Sequence, residues 1–156
     1  MRVRPARPDA AARISALIMP SQRLLTVEPD GRGAQAFFAS VSEPSERRYI
    51  ESERYDFLVA EEGGQRAGVV AVRDRTHLSH LFVAIRCQRA GLARELWNRA
   101  CQRASAAGGT GTCTVNASLP AVTICEHLGF VRVGQPLQAH GIACLPMRMG
   151  AGGHGA

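Results

Sequence analysis

Near the start of the chain, a strand-like pattern is followed by apolar positions at helix-like spacing. Residues 2–5 predict a short strand. Ile14, Leu17 and Ile18 then recur at the spacing of an amphipathic helix. Pro20 follows and is expected to end that helix, because proline lacks a backbone N–H and clashes with the preceding turn. The chain therefore opens with a strand followed by a helix.

The pattern changes near residue 56, where helical segments give way to strands. Residues 33–42 and 42–53 predict two short helices in a stretch rich in serine, proline, glycine and charge. Gly63 and Gly64 predict a tight hairpin turn. The predicted strands cover 56–62, 65–73, 77–83, 112–116, 130–135 and 142–149. Two longer helices are predicted over 91–106 and 119–128, each followed by glycine.

This order of elements predicts an α/β fold of α+β type, with a mixed central sheet of about six to seven strands and helices on both faces. The chain has 156 residues, so we expect residues 1–149 to form one domain. Residues 150–156, with the sequence GAGGHGA, are expected to be a flexible tail.

Composition limits the function classes. A hydrophobic content of 46% argues against disorder. No apolar run approaches the ~20 residues of a membrane span, and no apolar secretory signal follows the N-terminus, so we expect a cytoplasmic protein. The five cysteines contain no CxxC pair, which disfavours a zinc site, and we expect no metal. These cysteines are Cys87, Cys101, Cys113, Cys125 and Cys144.

Charge points to an anionic partner. The net charge is +6, from 19 Lys+Arg and 13 Asp+Glu, and every one of the basic residues is arginine. Such an excess suits nucleic acid, a phosphorylated cofactor or acidic substrates. Only 5% of the residues are aromatic, which leaves few side chains for stacking on bases, so nucleic-acid binding is disfavoured.

The segment 81–97 joins an apolar strand to a helix through a short basic turn. The first amides of a helix have no partner within it, and the helix dipole is positive there, so such a junction binds anions. Gly91 and Ala93 are small enough for a phosphate to approach the main chain, and Arg86, Gln88 and Arg89 lie beside them. The segment matches neither GxxxxGK[ST] nor GxGxxG. A plain junction with a solvated basic rim is the alternative interpretation.

The turn also resembles a known signature. Residues 88–93, QRAGLA, follow LFV and resemble the [QR]-x-x-G-x-[GA] motif of the GNAT acyltransferase superfamily. A second segment, TVNASLPAVTICEHLGFVRVG, is similar to the closing part of that family, with an Asn after a strand and then a helix ending in E-x-LGF. The residues that carry this match are Asn116, Glu126, Leu128, Gly129 and Phe130. The opening strand and helix and the closing LPMRM also fit, while residues 20–55 match least.

The resemblance implies a GNAT-like sheet that is splayed between its fourth and fifth strands and binds acetyl-CoA in that gap. It implies that main-chain groups of Leu81, Phe82 and Val83 pair with the pantetheine arm and that Asn116 contacts the same arm. The backbone amides expected to hold the pyrophosphate belong to Cys87, Gln88, Arg89, Ala90, Gly91, Leu92 and Ala93.

The resemblance also implies transfer by direct attack of an amine, which needs a proton acceptor. His77 and His80 are the candidates, and strand alternation predicts that they lie on opposite faces unless a bulge intervenes. Cys125 stands where the family often has a tyrosine acid. It is either a proton donor or a small packed residue, and His127, Ser118 or water are alternatives to it.

The implied function is an N-acetyltransferase that acts on a primary amine of a small molecule or a protein. Glu51 or Glu53 is a candidate partner for an ammonium group, although a solvated helix face explains both equally. Three alternatives stay open: a catalytically silent acyl-CoA-binding or regulatory module of the same fold, another acyl-CoA donor, and a basic nucleic-acid-binding protein. A homodimer is possible.

Overall fold

A computed structural model describes residues 1–19, 26–28, 30–88, 91–139 and 141–150, in which helices flank an eight-stranded sheet. The strands are β1 (Arg2–Pro5), β2 (Tyr55–Glu62), β3 (Gln65–Arg73), β4 (His77–Val83), β5 (Cys113–Ser118), β6 (Val131–Arg132), β7 (Leu137–Ala139) and β8 (Ile142–Met149). The α-helices are α1 (Ala11–Ile18), α2 (Gln35–Ser40), α3 (Glu43–Glu51), α4 (Leu92–Ala106) and α5 (Val122–Leu128). Short 3-10 turns cover Pro8–Ala10, Ile85–Cys87 and Leu119–Ala121.

The sheet is mixed, which confirms the predicted fold class. Its strand order is β1-β2-β3-β4-β5-β8-β6, and β7 pairs with the first part of β8. Every neighbouring pair is antiparallel except β4 and β5, which run parallel. The sequence did not predict β7, because three residues are too few to show an alternating pattern.

The sheet opens between β4 and β5, which confirms the splay that the resemblance implied. Only two residue pairs join these strands, His77 with Thr114 and Leu78 with Val115. Beyond Val115, strand β5 pairs with β8 alone. The rest of β4 therefore borders a wedge-shaped opening, which we call the β4–β5 gap.

Two apolar cores lie on opposite faces of the sheet. On the α4–α5 face, Leu92, Leu96, Val122 and Leu128 pack on strand residues such as Val70. On the α1–α3 face, a smaller cluster is built from the following residues: Ile14, Ile18, Val41, Phe57, Val59 and Val69. Alternate residues of β2 and β3 serve the two faces, as expected for a sheet covered on both sides.

Trp97 lies one residue past Leu96, where an edge position would be expected, but its side chain is inside the α4 interface. It is 2% exposed, and its ring lies 5.3 Å from that of Phe130, centroid to centroid. Phe130 follows α5 directly and brings a second aromatic ring to the same core. The apolar stripe of α4 is therefore wider than the Leu92, Leu96, Ala100 spacing alone predicts.

Two hairpins frame β3 and use the same turn chemistry with different residues. Gly63 and Gly64 both have positive φ, as the sequence predicted for the β2–β3 turn. The β3–β4 turn adopts positive φ at Asp74 and Arg75, with φ of 54° and 62°, without any glycine. Pro20 and residues 151–156, where a helix stop and a tail were predicted, lie outside the described residues.

Candidate functional site

The β4–β5 gap has a main-chain wall on one side. Leu81, Phe82 and Val83 form the end of β4, where the edge that faces the gap has no strand partner within the described residues. On the opposite wall, Thr114 and Asn116 are exposed, whereas Cys113, Val115 and Ala117 point into the core. An unpaired strand edge beside an exposed amide side chain suits an extended ligand with its own hydrogen-bonding groups.

Helix α4 begins at one end of this gap with free backbone donors. Gly91 caps the helix in the left-handed region, at φ 79°, and a Cβ built there would meet no atom within 4 Å. The first hydrogen bond of the helix joins Glu95 N to Gly91 O at 3.1 Å. The amides of Leu92, Ala93 and Arg94 therefore have no acceptor within the helix, and the space above Gly91 is open. Fifteen residues of helix add a positive pole at that end.

The loop before α4 is held by its own side chains. Gln88 Nε2 donates to the Val83 carbonyl at 3.2 Å, so Gln88 folds back on the end of β4. Arg86 Nη2 donates to the Arg66 carbonyl at 2.8 Å. These two contacts hold the loop in shape, and a role of either side chain in anion binding stays a prediction. Arg89 and Ala90, which belong to the same prediction, lie outside the described residues.

A basic pocket adjoins this loop. It has a volume of about 530 Å³, and its lining includes Arg13, Arg66 and Arg86. Arg66 is deeply buried and pairs with Glu61 at 3.2 Å, while the same carboxylate also binds Arg4. One carboxylate thus serves two guanidinium groups.

His77 lies at the narrow end of the gap with one ring nitrogen in use. Its Nδ1 is 2.8 Å from Thr114 Oγ1, across the β4–β5 pairing. Its Nε2 makes no hydrogen bond within the described part of the chain. Burial lowers the pKa of His77 below its ordinary value of 6.5, and the charge of Arg73 lowers it further. A half-buried, neutral imidazole with a free nitrogen has the properties of a proton acceptor near pH 7.

His80 is buried and uses both ring nitrogens. It is 6% exposed, with Nε2 at 3.0 Å from Glu46 Oε1 and Nδ1 at 2.9 Å from Ser79 Oγ. The rings of Tyr49, Phe57 and Phe82 surround it, with centroids 5.8, 5.2 and 6.3 Å from that of the imidazole. In this arrangement His80 has no nitrogen free for a substrate.

Glu46 is a buried acidic residue next to His80 that the sequence reasoning missed. It lies on α3 and is 0% exposed, while Glu51 and Glu53, the acidic residues singled out in this region, are exposed. The signal was present in the helical pattern. Ser45, Glu46 and Tyr49 share one face of α3, and Arg47 and Arg48 lie on the other.

A bulge in β4 places both histidines on one face. His77 pairs with Arg73, Leu78 with Val72 and His80 with Ala71, so Ser79 has no partner in β3. The extra residue inverts the alternation, and the opposite-face expectation held only without such a bulge. Both imidazoles therefore belong to the α1–α3 face.

Cys125 lies within the apolar cluster between α5 and the sheet. It is 3% exposed, and burial raises the pKa of its thiol to about 11. His127 is exposed on the same helix, and its carbonyl accepts a hydrogen bond of 2.7 Å from Arg94 Nη2. The environment of Cys125 is that of a packed core residue, the second of the two interpretations the sequence allowed.

Two wider properties concern metals and membranes. Among the described residues, no cluster of three or more His, Cys, Asp or Glu side chains is placed to hold a metal ion. In the same part of the chain, none of the helices has both the length and the apolar character needed to cross a bilayer.

Comparisons with known proteins agree with this geometry. Residues 25–151 match the family model described as "Acetyltransferase (GNAT) domain". No curated protein matches the chain in sequence.

Similar solved structures share the fold at low identity. A GCN5-related N-acetyltransferase from Rhodopseudomonas palustris has a TM-score of 0.80 at 21% identity, over 96% of this chain and 94% of the other. The yncA protein of Salmonella typhimurium, with its cofactor acetyl-CoA, has a TM-score of 0.72 at 20% identity, over 100% and 96%. A spermidine N-acetyltransferase from Vibrio cholerae has 0.66 at 18%, over 96% and 94%.

Proposed function

Because the chain belongs to the GNAT acetyltransferase family, we propose that it transfers an acetyl group from acetyl-CoA to a primary amine of a small molecule or a protein. The observation that carries the proposal is the β4–β5 gap with the free amides of α4 at its end. Together they match a ligand with an extended amide-bearing arm and a pyrophosphate.

The donor is proposed to bind along three elements. The main chain of Leu81–Val83 pairs with the pantetheine arm as an added strand would, and Asn116 contacts it from β5. The amides of the first turn of α4, at Leu92 and Ala93, hold the pyrophosphate. Those of Cys87 and Gln88, which the sequence also predicted for it, donate instead to the Ala84 and Ile85 carbonyls. Gly91 fits this role, because the space over it is open for a phosphate. The arginine-lined pocket beside the loop adds positive potential.

His77 is proposed as the base. The amine nitrogen attacks the thioester carbonyl, the C–N bond forms and the C–S bond breaks, and coenzyme A departs as a thiolate. The attacking nitrogen loses one proton, which Nε2 of His77 accepts directly or through one water. Thr114 holds the ring through Nδ1, so that Nε2 is the nitrogen left for this task.

No protein acid is assigned to the departing thiolate. A thiol has a pKa of about 8.5, so the thiolate is an acceptable leaving group near neutral pH. The protonated His77 returns its proton to solvent or to the thiolate, which closes the cycle. This account does not depend on Cys125.

The spermidine N-acetyltransferase among the similar structures supports an amine as the acceptor. The 156 residues of the chain include no lysine. Any acetyl group found on a lysine in a reaction mixture therefore belongs to an added acceptor.

The test is titration calorimetry with acetyl-CoA and coenzyme A, followed by a free-thiol assay with a panel of polyamines and peptides. We expect binding of both ligands, and thiol release that depends on an added amine. Binding without transfer to any amine would favour the silent acyl-CoA-binding module. Absence of binding would contradict the proposal.

The chain offers a matched pair for the pyrophosphate site. Gly91 and Gly108 flank α4, both have positive φ, and a Cβ at either would meet no atom within 4 Å. Gly91→Asp puts a carboxylate in the proposed anion site and should weaken coenzyme A binding at least tenfold, since like charges repel at short range. Gly108→Asp carries the same backbone strain and charge at the other end and should leave the affinity unchanged.

A further inference from the structure

A chain of polar contacts runs from α3 into the sheet beneath the α1–α3 face. Glu46 Oε1 accepts from His80 Nε2 at 3.0 Å, and His80 Nδ1 lies 2.9 Å from Ser79 Oγ. Ser79 Oγ in turn donates to the Ala71 carbonyl of β3 at 3.2 Å. Four residues on three separate elements are thus joined in sequence.

The Glu46–His80 pair, at the α3 end of this chain of contacts, is costly for folding. Glu46 is fully buried, and its second oxygen, Oε2, has no hydrogen-bond partner among the described residues. Aromatic rings of Tyr49, Phe57 and Phe82 exclude water from the imidazole. A half-satisfied buried carboxylate is a poorer source of stability than apolar residues of the same size, so stability alone does not account for it.

The far end of the chain coincides with the point where the sheet divides. Leu78 is the last residue of β4 paired with β5, and Ser79 follows it directly. Ser79 is also the bulged residue, without a partner in β3. The side chain of Ser79 therefore makes hydrogen bonds at the one position of β4 that pairs with neither neighbouring strand, just before residues 80–83, which pair with β3 alone.

We propose that Glu46 is a positioning residue for the cofactor gap: acting through His80 and Ser79, it fixes the β4 main chain where that strand leaves β5. The inference rests on the proposed function, because it assigns the gap to coenzyme A. In this assignment His80 transmits position and does not exchange protons with substrate, while His77 remains the base.

The test breaks the chain at each end and measures coenzyme A binding by titration calorimetry. Glu46→Leu removes the α3 end and Ser79→Ala the β4 end. Each should raise the dissociation constant about tenfold, the effect of losing one well-formed hydrogen bond to an ionised or buried group. The double variant should bind no more weakly than the weaker single variant, because both break one connected path.

Tyr49→Phe is the matched control. Tyr49 lies on the same helix, touches the same imidazole and donates to the Ser40 carbonyl at 3.0 Å, outside the chain. Its loss of one hydrogen bond should lower the unfolding temperature and leave coenzyme A affinity unchanged. Glu46→Gln keeps an acceptor for His80 and should recover most of the affinity lost in Glu46→Leu, which separates positioning from failure to fold.

Hydrogen exchange of the amides of residues 79–83, measured without ligand, tests the same chain independently of the proposed function. Glu46→Leu and Ser79→Ala should both accelerate exchange there, and Tyr49→Phe should not. Unchanged exchange, or normal affinity in both chain variants, would overturn the positioning role. If the variants show faster exchange but the wild-type protein binds no coenzyme A, the proposed function is overturned and the connection itself is not.

Discussion

The two faces of the sheet are covered by helices in different ways. On the α4–α5 face, the buried cluster consists of apolar side chains such as Leu96 and Trp97. The α1–α3 face buries Glu46 and His80 in direct contact, beside a smaller apolar cluster. The first face secures the fold through packing, whereas the second accepts a polar group in the core and brings α3 to the edge of the β4–β5 gap. Substitutions on the two faces should therefore fail in different ways.

The largest effect is expected on the apolar face. Trp97→Ala should lower the free energy of unfolding by about 3–5 kcal/mol, because it removes a large ring that contacts Phe130 and leaves a cavity. Urea denaturation measures this. Ile85, which is 71% exposed, gives the control: Ile85→Ala should change stability by no more than about 0.5 kcal/mol. A loss under about 1 kcal/mol for Trp97→Ala would show that the neighbouring side chains move in to fill the cavity that the tryptophan leaves.

On the α1–α3 face, a double variant should be more stable than the single variant from which it is made. Glu46→Leu leaves His80 buried without its partner and should cost about 3 kcal/mol in unfolding free energy. The double variant Glu46→Leu with His80→Leu should regain most of that loss, because an apolar pair suits the aromatic surroundings. The same urea series applies. A double variant less stable than the single one would show that the pair itself stabilises the fold.

The transfer activity of the protein should depend on pH through His77, which lies on the α1–α3 face. Its pKa lies below 6.5, so the neutral, proton-accepting form predominates at pH 7 and is lost as pH falls through that lower value. The rate kcat/KM should therefore fall on the acidic side, below pH 6.5. His77→Gln should lower kcat by about a hundredfold and remove this acidic limb. His127→Gln, an exposed histidine on α5, should leave the limb in place.

The smallest effect concerns the β3–β4 turn, which leads into His77. Arg75 has φ 62°, a region that costs energy for any residue with a Cβ, so Arg75→Gly should stabilise the protein by roughly 0.5–1 kcal/mol. Arg75→Ala keeps the strain and serves as the control. Differential scanning calorimetry should show a higher unfolding temperature for the glycine variant and an unchanged one for the alanine variant. Equal shifts would mean that the arginine side chain, and not its φ, sets the turn's stability.

The apolar face was largely predictable, because its residues recur at helical and strand spacings that the sequence displays directly. Leu92 and Leu96 mark the buried side of α4, and Gly91 marks its start. The division of the sheet also followed from short motifs through the family resemblance, whereas the anion site at the start of α4 stays a prediction. Trp97 escaped this reasoning, because a bulky residue one step off the stripe fits either an edge or a core.

The polar face was less predictable for physical reasons. Glu46 and His80 are 34 residues apart in sequence, and no local pattern links a helical glutamate to a particular strand position. No glycine or proline near Ser79 indicates the bulge in the sequence, yet the bulge determines on which face each histidine lies. The side chain of Gln88 points toward the Val83 carbonyl and not outward. This too depends on the position of the end of β4 relative to the loop, which the sequence does not display.

The opening between β4 and β5 belongs to the strand pairing of the sheet itself, with two residue pairs at one end and β8 on the outer side of β5. No strand pairing has to be broken before an extended molecule can enter. The conformational entropy of shaping the cleft is then lost during folding and not during association. A ligand that enters should rigidify the edge of β4 while leaving the global architecture as it was, with association limited by encounter and not by a slow rearrangement of the sheet.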